Sequence, residues 1–139
     1  MSIQTLADVE FGEQLPTFTP DTSLNTVRKF AHAVGWQGGR FEDHERARKE
    51  GFPGALVPGI MGMGFLTSTV HQWCADAHVE QIDTVFRAPM IADEPCFIEA
   101  VVTDIDEERS LVELDMTLKN NLDETRVFGT ARVRLPKAG

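Results

Sequence analysis

His32, Glu42, Asp43 and His44 place two imidazoles and two carboxylates within one short stretch of the chain. These are the side chains that most often act as general acids and bases near neutral pH. A proton relay needs two of them within hydrogen-bond reach of one water or one substrate atom. Between them runs GWQGGRF, a glycine-rich turn that presents Trp36 and Phe41 rather than polar groups. Each charged residue also has a simpler reading. Glu42 and Asp43 suit a helix start, where the macrodipole favours acids, and His44 suits the solvated face of a charged helix. His71 and His78 lie seven positions apart, not at the i, i+4 spacing with which a helix holds a metal. Cys74 and Cys96 form no CxxC pair and read as small buried apolar residues. No metal, cofactor or disulfide is expected.

The elements around these residues follow from periodicity. GEQLPTFTP has two prolines and reads as an extended lead-in. DTSLNTVRKFAHAVG has capping residues at its start and Leu24, Val27, Ala31 and Val34 on one helical face. Gly35 then supplies a left-handed stop. FEDHERARKEG reads as a short charged helix, acids early and bases late. FPGALVPG breaks the pattern. IMGMGFLTSTVHQWCADAH then reads as a helix of about five turns, apolar on most sides in its first half and therefore buried, with His71 and His78 late on it. Gly62 and Gly64 each cost about 1 kcal/mol of helix propensity, which predicts a close approach of this helix to a sheet or a ligand.

The second half of the chain changes to period two. Val112, Leu114, Met116 and Leu118 alternate with Glu113, Asp115 and Thr117; Val127, Gly129, Ala131, Val133 and Leu135 share a second face. With PCFIEAVVTDI and VEQIDTVFRAP these make four successive strands separated by turns at DIDEER and KNNLDE. Four strands after a buried helix predict an α+β fold, an antiparallel sheet wrapped around that helix. The 139 residues suit a single domain, 1–139, with a core of its own.

Composition narrows the function. At 42% hydrophobic and 25% charged the chain is ordinary for a globular protein. A net charge of −9 disfavours nucleic acid and anionic membranes as partners. The N-terminus has neither the basic start nor the apolar run of a signal peptide. No segment reaches the roughly 18 apolar residues of a membrane span. A cytoplasmic location is expected.

Four passages carry a resemblance along nearly the whole chain: FGEQLPTFTP, FAHAVG, ARKEGFPGALVPGIMGMGFLT and VFRAPMIADE. They resemble the MaoC-like (R)-specific enoyl-CoA hydratase family, and GF…GIM is the most specific piece. The resemblance implies a hotdog fold and chemistry on acyl thioesters. The family's loop reads roughly GDxNPxH, and its aspartate and histidine act as base and acid on a bound water. Laid on this chain from Gly35, the aspartate position falls on Trp36 and the histidine position on Phe41. Neither indole nor phenyl can transfer a proton. Asp43 matches an acidic residue that often follows the histidine. Pro58 replaces the histidine of the family's HGM, and Gly59 matches its glycine. In the family that glycine's amide polarises the thioester carbonyl, a role that needs no side chain.

Three function classes follow. The first is an acyl-thioester-binding subunit without hydratase chemistry, paired with a dyad-bearing homologue. Its substrate contacts would come from Trp36, Phe41, Val57, Gly59 and Met63. The second is an active enzyme on the same scaffold, a dehydratase or other lyase or isomerase for a bulky or polyketide-like acyl chain, with His32, His44 and Asp43 as relocated acid and base. The third is a ligand-binding hotdog protein without thioester chemistry. The acidic balance prefers CoA to an acidic carrier protein, although Arg28, Lys29, Arg46, Arg48 and Lys49 form a local basic group. A homodimer, or a heterodimer with a catalytic homologue, is the expected assembly.

Overall fold

The computed structural model describes residues 3–36 and 38–138. Three helices, α1 (Leu24–Ala33), α2 (His44–Lys49) and α3 (Gly59–Trp73), precede or interrupt six strands. The strands are β1 (Leu56–Val57), β2 (His78–Phe86), β3 (Met90–Ile91), β4 (Cys96–Asp106), β5 (Leu111–Asn120) and β6 (Thr125–Arg134). The four long strands form an antiparallel sheet in the order β2-β6-β5-β4, and β1 pairs with β3 as a separate two-stranded ribbon. This is the α+β hotdog arrangement, with α3 lying against one face of the sheet.

The alternation expected from the sequence sets that face. Val112, Leu114, Met116 and Leu118 of β5 are buried, as are Val127, Ala131 and Val133 of β6. Against them α3 packs Met61, Gly62, Leu66, Thr69, Val70 and Trp73. Gly62 is where helix and strands come closest. A β-carbon there would stand 2.7 Å from Met90 Cε and 3.6 Å from Val127 Cγ2. Gly64 has no such neighbour within 4 Å. The expected close approach therefore applies to one glycine and not the other.

α3 is apolar on most sides but buried on only one, because Ile60, Gly64 and Ser68 face away from the sheet. It also ends at Trp73, so His78 opens β2 rather than closing the helix. β4 and β5 run past their expected ends, which shrinks the connecting turns to four residues each, with Ser110 and Asp123 at positive φ.

The two outer strands of the sheet differ. β4 is lined by the extended lead-in, through bridges Gln14↔Val101 and Phe18↔Ile98. β2 has β6 on one side and no partner strand among the described residues on the other. Near that free edge Val85, Phe86 and Phe128 are exposed. Val85 pairs with Phe128 on the outer face, while Phe86 pairs with the buried Val127 on the helix side. No described helix is long and apolar enough to cross a membrane.

Candidate functional site

The glycine-rich loop begins where α1 ends. Ser23 caps the first turn of α1 by accepting the Thr26 N–H. At the other end Gly35 takes φ +78°, its N–H bonds the His32 carbonyl at 3.3 Å, and the Trp36 N–H reaches the Ala31 carbonyl at 2.7 Å. This paired closure is a Schellman motif, which glycine favours because it lacks a β-carbon. It ends the helix at Ala33, so Val34 lies outside the helix and is 46% exposed instead of facing inward with Leu24 and Val27.

The turn delivers Trp36 into an aromatic group. Its ring meets Phe30 edge-on at 6.5 Å and Phe41 at 6.0 Å, tilted by 33°. Trp36 remains 44% exposed, so this cluster covers part of the indole and leaves the rest open. Phe41 closes a 3₁₀ turn (Gly39–Phe41) that packs against α1, α2 and β1. β1 leads through Pro58 into α3.

Gly59 is the first residue of α3, and Pro58 at the cap position has no side chain that could accept from the helix. The Met61 and Gly62 amides both bond the Pro58 carbonyl. The Gly59 and Ile60 amides have no partner among the described residues. Such a helix end presents N–H groups and a partial positive charge to an oxygen acceptor. The Phe86 ring walls it on one side, where a β-carbon at Gly59 would stand 3.3 Å from Phe86 Cε1. Met63 lies one turn further on, partly exposed, whereas Val57 is buried in the core beneath.

The titratable residues are arranged differently from one another. His32, on the last turn of α1, has an exposed ring whose Nε2 is 3.0 Å from Glu42 Oε1. Asp43 caps α2 by accepting the Glu45 and Arg46 amides, and these bonds, that from Arg46 first, hold its carboxyl below the usual carboxylate range. His44 has both ring nitrogens engaged. Its Nδ1 accepts the Ala55 N–H at 2.9 Å, so Nε2 carries the proton and donates to Asp93 Oδ2 at 2.8 Å. Asp93 in turn accepts the Leu24 N–H on Oδ1 at 2.8 Å. The bond from His44, followed by that from Leu24, lowers the Asp93 carboxyl. The ring of His44 is therefore tied into the fold rather than set on a solvated helix face. Asp93 and Phe86 are the residues that sequence reasoning missed. Asp93 appeared only within the passage VFRAPMIADE, and its positive φ of 68° was not anticipated there.

Among the described residues no group of three or more His, Cys, Asp or Glu side chains is placed to hold a metal ion. Both cysteines are free and buried.

The fold and this geometry define a hotdog protein with an open helix N-terminus and an aromatic loop. The sequence matches no family model and no curated protein. Solved structures do match. R-Hydratase PhaJ1 from Pseudomonas aeruginosa, in the unliganded form, superposes with a TM-score of 0.89 at 15% identity, over 96% of this chain and 86% of that one. The (R)-hydratase from A. caviae involved in PHA biosynthesis gives 0.86 at 18% identity, over 93% and 98%. A chain of the ChsH1-ChsH2 complex from Mycobacterium tuberculosis gives 0.81 at 18% identity, over 91% and 98%. At these identities the likeness is one of fold. It matches the hotdog architecture that the sequence resemblance implied.

Proposed function

We propose that this chain binds acyl thioesters at the N-terminus of α3 and acts as the non-catalytic member of a hydratase or dehydratase pair. The observation that carries the proposal is the pair of unpartnered amides at Gly59 and Ile60, on a helix that follows directly on β1, the strand against which the Phe41 turn packs. The amides suit a thioester carbonyl, whose oxygen gains negative charge as it is polarised. The aromatic rings suit an acyl chain, as does Met63 on the exposed side of α3. In the hydratase family the loop positions of Trp36 and Phe41 hold the proton-transferring pair, so binding remains possible where hydration does not.

Pairing is supported by the free edge of β2 and the exposed Val85, Phe86 and Phe128 beside it, since an open, partly apolar edge strand is a template for another strand. Two-component assembly has a precedent in the ChsH1-ChsH2 complex. CoA suits the net charge of −9 better than an acidic carrier protein does. A series of CoA thioesters of increasing chain length tests the reading by thermal shift. Binding to the folded state alone must raise the melting temperature, and lack of stabilisation at every chain length overturns the thioester assignment. Co-expression with a dyad-bearing homologue from the same genome tests the pairing: a stable heteromer is expected, and a self-sufficient homodimer that ignores the homologue refutes it.

One observation favours the second reading, an active enzyme. Glu42 holds the exposed His32 ring at 3.0 Å, the arrangement in which a carboxylate orients an imidazole base. If that pair is the relocated acid and base, His32→Asn abolishes any turnover found by substrate screening. An unchanged rate in that variant removes His32 from consideration.

A further inference from the structure

The His44 ring joins three parts of the chain that are far apart in sequence. It stands at the head of α2, accepts the Ala55 amide just before β1, and donates to Asp93 just after β3. Asp93 carries the link onward to the first amide of α1 at Leu24, while its own N–H bonds the Thr22 carbonyl at 2.8 Å. The ribbon is locked beside it, because the Ala92 N–H bonds the Ala55 carbonyl at 2.8 Å. Gly54 is fitted against the ring, for a β-carbon there would lie 2.9 Å from Nδ1. From Ala55 the chain runs only through Leu56, Val57 and Pro58 to Gly59. The imidazole thus fixes one end of the segment whose other end is the N-terminus of α3.

Only one protonation state makes both bonds. The ring must hold a lone pair at Nδ1 for Ala55 and a proton at Nε2 for Asp93. Protonation at Nδ1 turns the acceptor into a donor and leaves the Ala55 N–H facing another N–H. Ala55 is fully buried, so its amide cannot turn to water without displacing the segment, and a buried amide left unpaired destabilises the arrangement. We propose that His44 is a positioning residue that holds Ala55–Gly59 in place only while its ring is neutral, so that protonation of the ring releases the N-terminus of α3. The charged groups around the ring are Asp93 from the turn after β3, Arg28 of α1, whose charge acts on Asp93, and Asp43 at the cap of α2.

The consequence for ligand binding rests on the reading of Gly59 as the ligand-facing amide; the coupling itself does not, and it is tested without ligand. The experiment follows the Ala55 and Gly59 backbone amides and the His44 ring by NMR in the whole protein between pH 8 and 5. Both amides are expected to shift with the midpoint of the ring titration. Protection of Ala55 against hydrogen exchange should fall roughly tenfold beyond the intrinsic pH effect. In His44→Asn the Oδ1 atom stands near the place of Nδ1 and does not titrate, so Ala55 should stay protected and the shared transition should vanish. Asp93→Asn replaces the carboxylate that accepts from Nε2, and both amides should continue to follow the ring wherever its midpoint falls in that variant. A ring that titrates while the two amides stay still overturns the proposal, as does a transition that persists in His44→Asn. If the coupling holds while CoA thioesters fail to stabilise the protein, the ligand reading fails and the positioning role stands.

Discussion

Trp36 and Phe41, five residues apart on one turn, hold their rings 6.0 Å between centroids and 33° from parallel. The contact is possible because Gly35 reverses the chain at the end of α1 and the Gly39–Phe41 turn brings the second ring back. A pair of this kind contributes about 0.5–1.5 kcal/mol beyond simple burial. A double-mutant cycle of Trp36→Ala and Phe41→Ala, read by urea unfolding, should give a coupling in that range. If the rings also contact an acyl chain, each single variant should weaken thioester binding more than it lowers stability.

Gly62 and Gly64 of α3 should respond oppositely to alanine. At Gly64 the new methyl meets nothing within 4 Å, so Gly64→Ala should gain helix propensity of about 1 kcal/mol. At Gly62 it meets the Met90 methyl, and crowding of about 1–3 kcal/mol should cancel or exceed that gain. Thermal unfolding of the two variants side by side gives the comparison. Gly129→Ala is expected to be worse than either, because its β-carbon would fall on the Asp83 carbonyl of the neighbouring strand. That variant should fail to accumulate as folded protein.

Neither cysteine should react in the folded state. Burial pushes the Cys96 thiol up to about 11 and raises that of Cys74 as well. The thiolate is the nucleophile, and at pH 7.5 almost none is present. Alkylation followed by mass spectrometry should show no adduct under native conditions and two in denaturant. Rapid native labelling of either residue would contradict the burial described here.

Asp43 and Asp93 should shape the acid limb of stability. Both carboxyls titrate below the usual carboxylate value when folded, chiefly through the Arg46 amide for Asp43 and through His44 for Asp93. A depressed folded value stabilises the protein above the unfolded value near pH 4 and loses that contribution as the pH falls through the folded one. Asp43→Asn and Asp93→Asn should therefore each lower stability at neutral pH and flatten its dependence between about pH 5 and pH 2. Both groups lie near solvent, so added salt should reduce the effect. Chemical unfolding at a series of pH values measures the slope.

The free edge of β2 should respond to charge. Val85 and Phe128 pair on the outer face, Val85 on the edge strand itself and Phe128 one strand inward, so Val85→Lys and Phe128→Lys place cations on the exposed apolar face beside the proposed partner strand. Light scattering should show the assembled form converting to monomer, with the circular dichroism spectrum retained. Unchanged assembly in both variants would move the partner surface elsewhere.

Much of this fold was legible in the residues. The period-two runs at 110–119 and 126–135 became β5 and β6, each end within a residue of the run read, with the expected faces inward, and the caps around α1 fell at Ser23 and Gly35. The aromatic character of the loop could be read in the same way. The role of His44 could not. Its neighbours in the chain are charged and suggest a solvated helix, yet its partners lie eleven and forty-nine positions away.

Periodicity and turn chemistry are properties of a few consecutive residues, so the order of strands and helices and the faces they bury could be read along the chain. A hydrogen-bond partner is chosen by distance through space, and no local pattern encodes it. Only the folded chain made Asp93 and Ala55 neighbours of His44, placed Phe86 against Gly59, and left β2 rather than β4 as the open edge of the sheet.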